Sequence, residues 1–97
     1  KDRAALRAEA HHLDVTVHVG QHGLTDTLLQ SLNDALEARE LVKVQLGRNA
    51  PVTVKEAAGQ LAEQVGAEVI QVIGRKTTLY RYNTDLERKA DGKPPWR

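Results

Sequence analysis

The chain has no cysteine, no methionine and no phenylalanine, and its rings are limited to one tryptophan and two tyrosines. Without cysteine there is no disulfide framework, no thiolate nucleophile and no thiolate zinc site. That composition suits the cytoplasm, which is the expected location. The shortage of rings excludes more. RRM-type sheets and single-strand OB grooves hold bases on aromatic side chains, and Tyr80, Tyr82 and Trp96 are too few to build such a platform. No apolar run approaches the roughly 18 residues of a membrane span, and the charged N-terminus carries no signal-peptide core, so no membrane partner is expected. The chain opens on Lys1, which places the initiator methionine upstream.

Catalytic signals are also scarce. Ser31 is the only serine and has no obvious base beside it, no carboxylates pair at facing positions, and there is no Walker-type G-x-x-x-x-G-K-[ST] run. The expectation is a non-enzyme without cofactor. All four histidines lie within residues 11–22. His18 and His22 are four apart, a metal-ligand spacing on a helix, but they fall on a strand and in a loop. His11 and His12 are adjacent and diverge on a helix. No metal site is expected, and His11 is expected to bond locally beside the loop.

What is present is a single domain of 97 residues, 40% hydrophobic. Net charge is only +1, but it is unevenly spread. Residues 24–40 carry Asp26, Asp34, Glu37 and Glu40 against Arg39, and residues 53–68 carry Glu56, Glu63 and Glu68 against Lys55. Residues 41–52 carry only Lys43 and Arg48, and residues 69–83 only Arg75, Lys76 and Arg81. The acidic segments read as helices and the basic ones as strands with their loops. Such a domain is polarised, with one side suited to an anionic partner. An ordinary solvated surface is the alternative, and Asp34, Glu37 and Glu40 read as a plain solvated helix face.

Residues 2–13 read as a helix with Ala5, Leu6, Ala10 and Leu13 near one face and Asp2 as a cap. Val15–Val19 alternates as a strand. A second helix follows, with Leu24, Leu28, Leu32, Ala35 and Leu36 at helical spacing and Thr25 or Asp26 near its first turn. Leu41–Leu46 is a strand, with Val42, Val44 and Leu46 on one side and Lys43 and Gln45 on the other. Gly47 to Pro51 is a loop. Thr53 with Glu56 predicts a capping box for a third helix that stops at Gly66. Val69–Ile73 and Thr77–Tyr82 are strands joined by Gly74-Arg75-Lys76, and residues 84–97 turn polar and read as a tail, with residues 1–83 as the domain. The order is α-β-α-β-α-β-β. Strands one to three are expected to run parallel, with the fourth antiparallel.

The most informative stretch is Gly20-Gln21-His22-Gly23-Leu24-Thr25, at the turn from the first strand into the second helix. Two glycines three apart allow close approach of the backbone. The helix N-terminus that follows offers N–H groups and partial positive charge to an anion.

Together with other segments, this stretch resembles the CRM domain (chloroplast RNA splicing and ribosome maturation) in its stand-alone bacterial YhbY form. The likeness is carried by Ala10-His11-His12-Leu13, Val19–Thr25, Glu40-Leu41-Val42-Lys43-Val44, Gly66 to Lys76 and Leu79-Tyr80-Arg81. It spans roughly residues 4–83. The resemblance implies an α/β fold, a two-layer α+β sandwich in which helices pack on a four-stranded mixed sheet. This is similar to the C-terminal domain of translation initiation factor three. It also implies RNA binding in which Gly20 to Gly23 take part, and an association with precursor large ribosomal subunits. Two positions depart from the family pattern: Gln21 stands where many members have lysine, and Val15 where proline is common.

The expected RNA-binding residues are therefore Gly20, Gln21, His22, Gly23 and Thr25, with His18 nearby and Lys43, Arg48, Arg75, Lys76 and Arg81 as cations for phosphates. KH domains use a G-x-x-G loop similarly, although theirs joins two helices. The partner expected is structured RNA, probed on its phosphate and sugar with low sequence specificity, and precursor large-subunit ribosomal RNA by the resemblance. Ribosomal proteins are further candidate partners, and a monomer is expected. Bland readings stand beside each choice. The glycine loop is also a tight turn that lets a helix pack, Arg75-Lys76 a solvated hairpin tip, and Lys43 and Arg81 outward strand residues. Tyr80 reads as core. The alternative function is a module that docks on a ribosomal protein or assembly factor without touching RNA.

Overall fold

The computed structural model describes residues 3–82. Asp2, Trp96 and the expected tail at 84–97 lie outside the described residues. The elements follow the expected order: α1 (Arg3–Ala10), β1 (Val15–Val19), α2 (Asp26–Arg39), β2 (Leu41–Leu46), α3 (Val54–Val65), β3 (Glu68–Ile73) and β4 (Lys76–Tyr80). The four strands form one mixed sheet in the order β1-β2-β4-β3. β1 and β2 are parallel, and β4 is antiparallel to both β2 and β3. The last strand therefore inserts between the second and the third.

Side-chain alternation sorts the sheet into two faces. Val17, Val19, Val42, Val44, Leu46 and Leu79 meet Leu32 and Leu36 of α2 and Ala57 and Leu61 of α3 in the main core. Leu41, Ile70 and Tyr80 turn the other way and meet Leu6 of α1, with Leu13 half-buried at the margin. Tyr80 is core, as its position suggests. Among the described residues the second face is covered by a single short helix, which leaves part of it open. Both edge strands are irregular, with register shifts between Val15 and Val17 and between Val69 and Gln71. Bulges at sheet edges discourage pairing with other chains.

The caps fall where sequence chemistry places them. The Thr25 side chain accepts from the Leu28 N–H at 3.1 Å and opens α2. Thr53 and Glu56 form the reciprocal capping box of α3, and Gly66 ends it in the left-handed conformation. Several element ends and one side chain differ from expectation: β3 begins at Glu68 and β4 at Lys76, each one residue early. Helix α1 stops at Ala10 rather than residue 13, because the Lys43 ammonium takes the Ala10 carbonyl at 2.9 Å and that of Leu13 at 3.4 Å. β4 stops at Tyr80 rather than Tyr82: the Arg81 N–H makes a last in-register bond to the Glu40 carbonyl, but the Glu40 N–H goes to the Leu36 carbonyl at the end of α2 and does not return it. Glu40 is not on a solvated face: it is buried, with φ +66°, as the one residue between α2 and β2. A link that short forces the chain into a left-handed turn that glycine would adopt more cheaply. Asp34 and Glu37 are exposed, as expected.

Candidate nucleic-acid interface

The sheet register brings three loops to one end of the domain. Val19 pairs with Leu46, Gln45 with Lys76, and Lys76 with Ile73, so the ends of β1, β2 and β3 and the start of β4 form one row. The Gly20–Gly23 loop, the Gly47–Pro51 loop and the Gly74-Arg75 tip all leave from that row. Main-chain bonds tie them together. The Gly47 N–H donates to the Val19 carbonyl at 2.8 Å, and the Leu46 N–H donates to the Arg75 carbonyl at 2.8 Å.

Within the glycine loop the two glycines play different parts. Gly23 is buried, with φ +69°, and its N–H donates to the Gly20 carbonyl at 3.0 Å to close the turn. A Cβ built on Gly23 would lie 3.0 Å from Pro51 Cγ. The turn is thus locked against the neighbouring loop. Gly20 is exposed, is not among the positive-φ glycines, and a Cβ there meets nothing within 4 Å. Gln21 and His22 between them are exposed. The packing reading applies to Gly23, which serves the fold, whereas Gly20 leaves its backbone open to approach.

Thr25 is exposed and caps α2, whose first turn holds Asp26. Arg48, Arg75 and Lys76 are exposed on the second loop and the hairpin. Alternation against Val17 and Val19 turns His18 to the open sheet face, exposed and paired in register with Gln45. The carboxylates at this end belong to the first turns of the helices, Asp26 of α2 and Glu56 of α3, and Glu56 is folded back on Thr53. The loops themselves present only cations. Lys43 is half-buried one step below, on the open face, with two of its ammonium protons engaged by the end of α1.

Arg81 does not join this group. It sits just past the Leu41–Tyr80 pair, at the far end of the sheet. Its guanidinium donates to Asn33 Oδ1 and the Val65 carbonyl, both at 2.8 Å, and to the Asn33 carbonyl at 3.2 Å. It bolts the middle of α2 to the C-terminus of α3, where a cation is favoured. Three bonds in a fixed fork are beyond a lysine. Arg81→Lys is expected to destabilise the fold by about 1–3 kcal/mol, read by urea denaturation, and to leave ligand affinity of the folded protein unchanged. His11 forms no side-chain bond beside the glycine loop; among the described residues it lines a recess on the open face with Lys43, Gln71, Ile73, Lys76 and Thr78. Gln71, Ile73 and Thr78 carry no mark in the sequence beyond period-two alternation on β3 and β4, which puts them on the face of Lys76.

The chain is similar to known proteins in sequence and in fold. Among solved structures, the hypothetical protein SAV1595 from Staphylococcus aureus superposes with a TM-score of 0.74 at 31% identity, covering 96% of this chain and 94% of that one. The "Probable RNA-binding protein YqeI" of Bacillus subtilis is 35% identical over 81 residues, 84% of each chain. A protein of Haemophilus influenzae named "RNA-binding protein" is 32% identical over 81 residues, 84% of this chain and 82% of that one. The model of the CRS1/YhbY (CRM) domain matches residues 1–81, so the glycine loop, the hairpin tip and all four strands fall within it. The chain belongs to the CRS1/YhbY (CRM) domain family.

Proposed function

We propose that this protein binds structured RNA through the sugar-phosphate backbone, using the end of the sheet where the three loops meet. The carrying observation is the convergence of Gly20, Gln21 and His22 with Arg48, Arg75 and Lys76 on one exposed end, where the carboxylates are confined to the first turns of α2 and α3. Relatives named as RNA-binding proteins support the reading. Main-chain N–H groups and the Gln21 and His22 side chains donate to phosphate oxygens, and the cations neutralise flanking phosphates. With no aromatic platform on the face, contact is mostly to phosphate and sugar, so recognition follows the shape of the RNA. By the family resemblance the RNA is that of the precursor large ribosomal subunit, bound in the cytoplasm by a monomer during subunit assembly. No catalytic step is part of the reading.

The test is affinity for a hairpin from large-subunit ribosomal RNA measured against salt. Three neutralised phosphates predict that log affinity falls against log salt with a slope of roughly −2 to −3. A flat response would favour docking on a ribosomal or assembly protein instead.

A further inference from the structure

The open half of the second sheet face holds a built recess that shares only its rim, at Lys76, with the phosphate-binding end. It has a volume of about 170 Å³ and is lined by His11, Lys43, Gln71, Ile73, Lys76 and Thr78. The register explains its shape. Lys43, Thr78 and Gln71 form one row across β2, β4 and β3, and Lys76 and Ile73 the next. Helix α1 stops just short of these rows, and His11 follows its last turn. The recess thus lies between the end of a helix and an uncovered strip of sheet, directly beside the Gly74-Arg75 tip.

Its lining is chemically specific. Thr78 is only 2% exposed, yet among the described residues its hydroxyl makes no hydrogen bond. Its oxygen is not fully enclosed, so it can meet a group that enters the recess. The Gln71 side-chain amide is also unengaged among the described residues, although its main-chain carbonyl accepts from the Thr77 hydroxyl at 2.9 Å. These two groups offer donors and acceptors side by side. An ammonium has three protons, and two of those on Lys43 go to α1, which leaves one for the recess. Ile73, 55% exposed, supplies an apolar wall, and Lys76 stands at the rim toward the loops. No carboxylate lines the site.

The geometry points to a pocket for a single unpaired nucleobase of the bound RNA. The ring lies against Ile73, its polar edge meets Gln71 and Thr78, and its phosphate meets Lys76. An apolar cavity of about 150 Å³ accepts a benzene ring, so the recess is of the size for one six-membered base. The inference rests on RNA being the ligand. It adds a base-reading element to an otherwise shape-reading surface, and it selects RNA with an extruded nucleotide next to a helix.

The experiment compares a fully paired RNA hairpin with the same hairpin carrying one bulged uridine. The unaltered protein is expected to bind the bulged hairpin about tenfold more tightly. The double variant Gln71→Leu with Thr78→Val is expected to lose that preference and to keep its affinity for the paired hairpin. Since the Thr78 hydroxyl bonds nothing in the protein, its removal should not weaken the fold, and circular dichroism checks this. If that variant does not fold, the unaltered protein still decides the matter: a photoreactive uridine in the bulge is expected to crosslink within residues 71–78. Equal affinity for the two hairpins, a preference that survives the double variant, or crosslinks confined to residues 20–51 would each overturn the pocket while leaving backbone binding in place. Failure to bind either hairpin at low salt would overturn the RNA reading itself, and the pocket with it.

Discussion

Replacing Gln21 and His22 together by aspartate is expected to lower affinity for a structured ribosomal RNA hairpin at least about thirtyfold, with the melting temperature nearly unchanged. Each substitution removes a donor to phosphate, about 1 kcal/mol, and sets a like charge beside it, about 1 kcal/mol more even in water. Together these reach roughly 2–4 kcal/mol, and each 1.4 kcal/mol is tenfold. The fold has little reason to respond. Both side chains are exposed, and negative charge just ahead of α2 favours the N-terminus of that helix. Melting followed by circular dichroism and filter binding on the same preparation separate the two effects. An intact fold with unchanged affinity would remove the glycine loop from the interface.

The second large effect is on stability. Gly23→Ala is expected to cost about 2–3 kcal/mol and to lower the melting temperature by roughly 10 °C or more. Two causes add. An L-residue held at φ +69° costs about 1–2 kcal/mol, and its Cβ would press Pro51 Cγ at 3.0 Å, so the Gly47–Pro51 loop must shift. Gly20→Ala is the contrasting variant. Its methyl meets open space, so stability should change by no more than about 0.5 kcal/mol. If the RNA backbone approaches Gly20 closely, affinity falls although the fold does not. A melting temperature that is the same for Gly23→Ala and the parent would refute the locked-turn account.

The parts of this architecture that sequence reveals are those set by neighbours along the chain. The Thr53–Glu56 capping box, the stop at Gly66 and the alternation of Val42, Val44 and Leu46 each need only a few adjacent residues, and each is realised. The glycine loop is legible for the same reason, as a strand-to-helix turn. What escapes is set by long-range contact. Arg81 follows a strand, and its chemical type is the same whether it meets phosphate or protein. Its partner Asn33 is 48 residues away. Lys43 reads as an outward strand residue, and its engagement by Ala10, 33 residues earlier, also decides where α1 ends. Glu40 reads as solvated by type, but the one-residue link it occupies buries it. Thr78 and Gln71 become conspicuous only once β4 lies between β2 and β3, because a hydroxyl without a partner cannot be seen in a string of letters.

That insertion of β4 has a consequence for how the molecule comes into being. The strand made last among the four is a central one, and β2 and β3 are hydrogen-bonded into one sheet only through it. A nascent chain that has emerged as far as Ile73 has no strand to pair between β2 and β3, and only side-chain packing such as that of Leu6 against Leu41 and Ile70 spans the gap. The sheet closes only when β4 has been made, so the Gly74-Arg75 tip, tied to Leu46, is the last part of the binding end to be set in place. A chain ended before Lys76 leaves β2 and β3 each with an unpaired edge in the middle of the sheet.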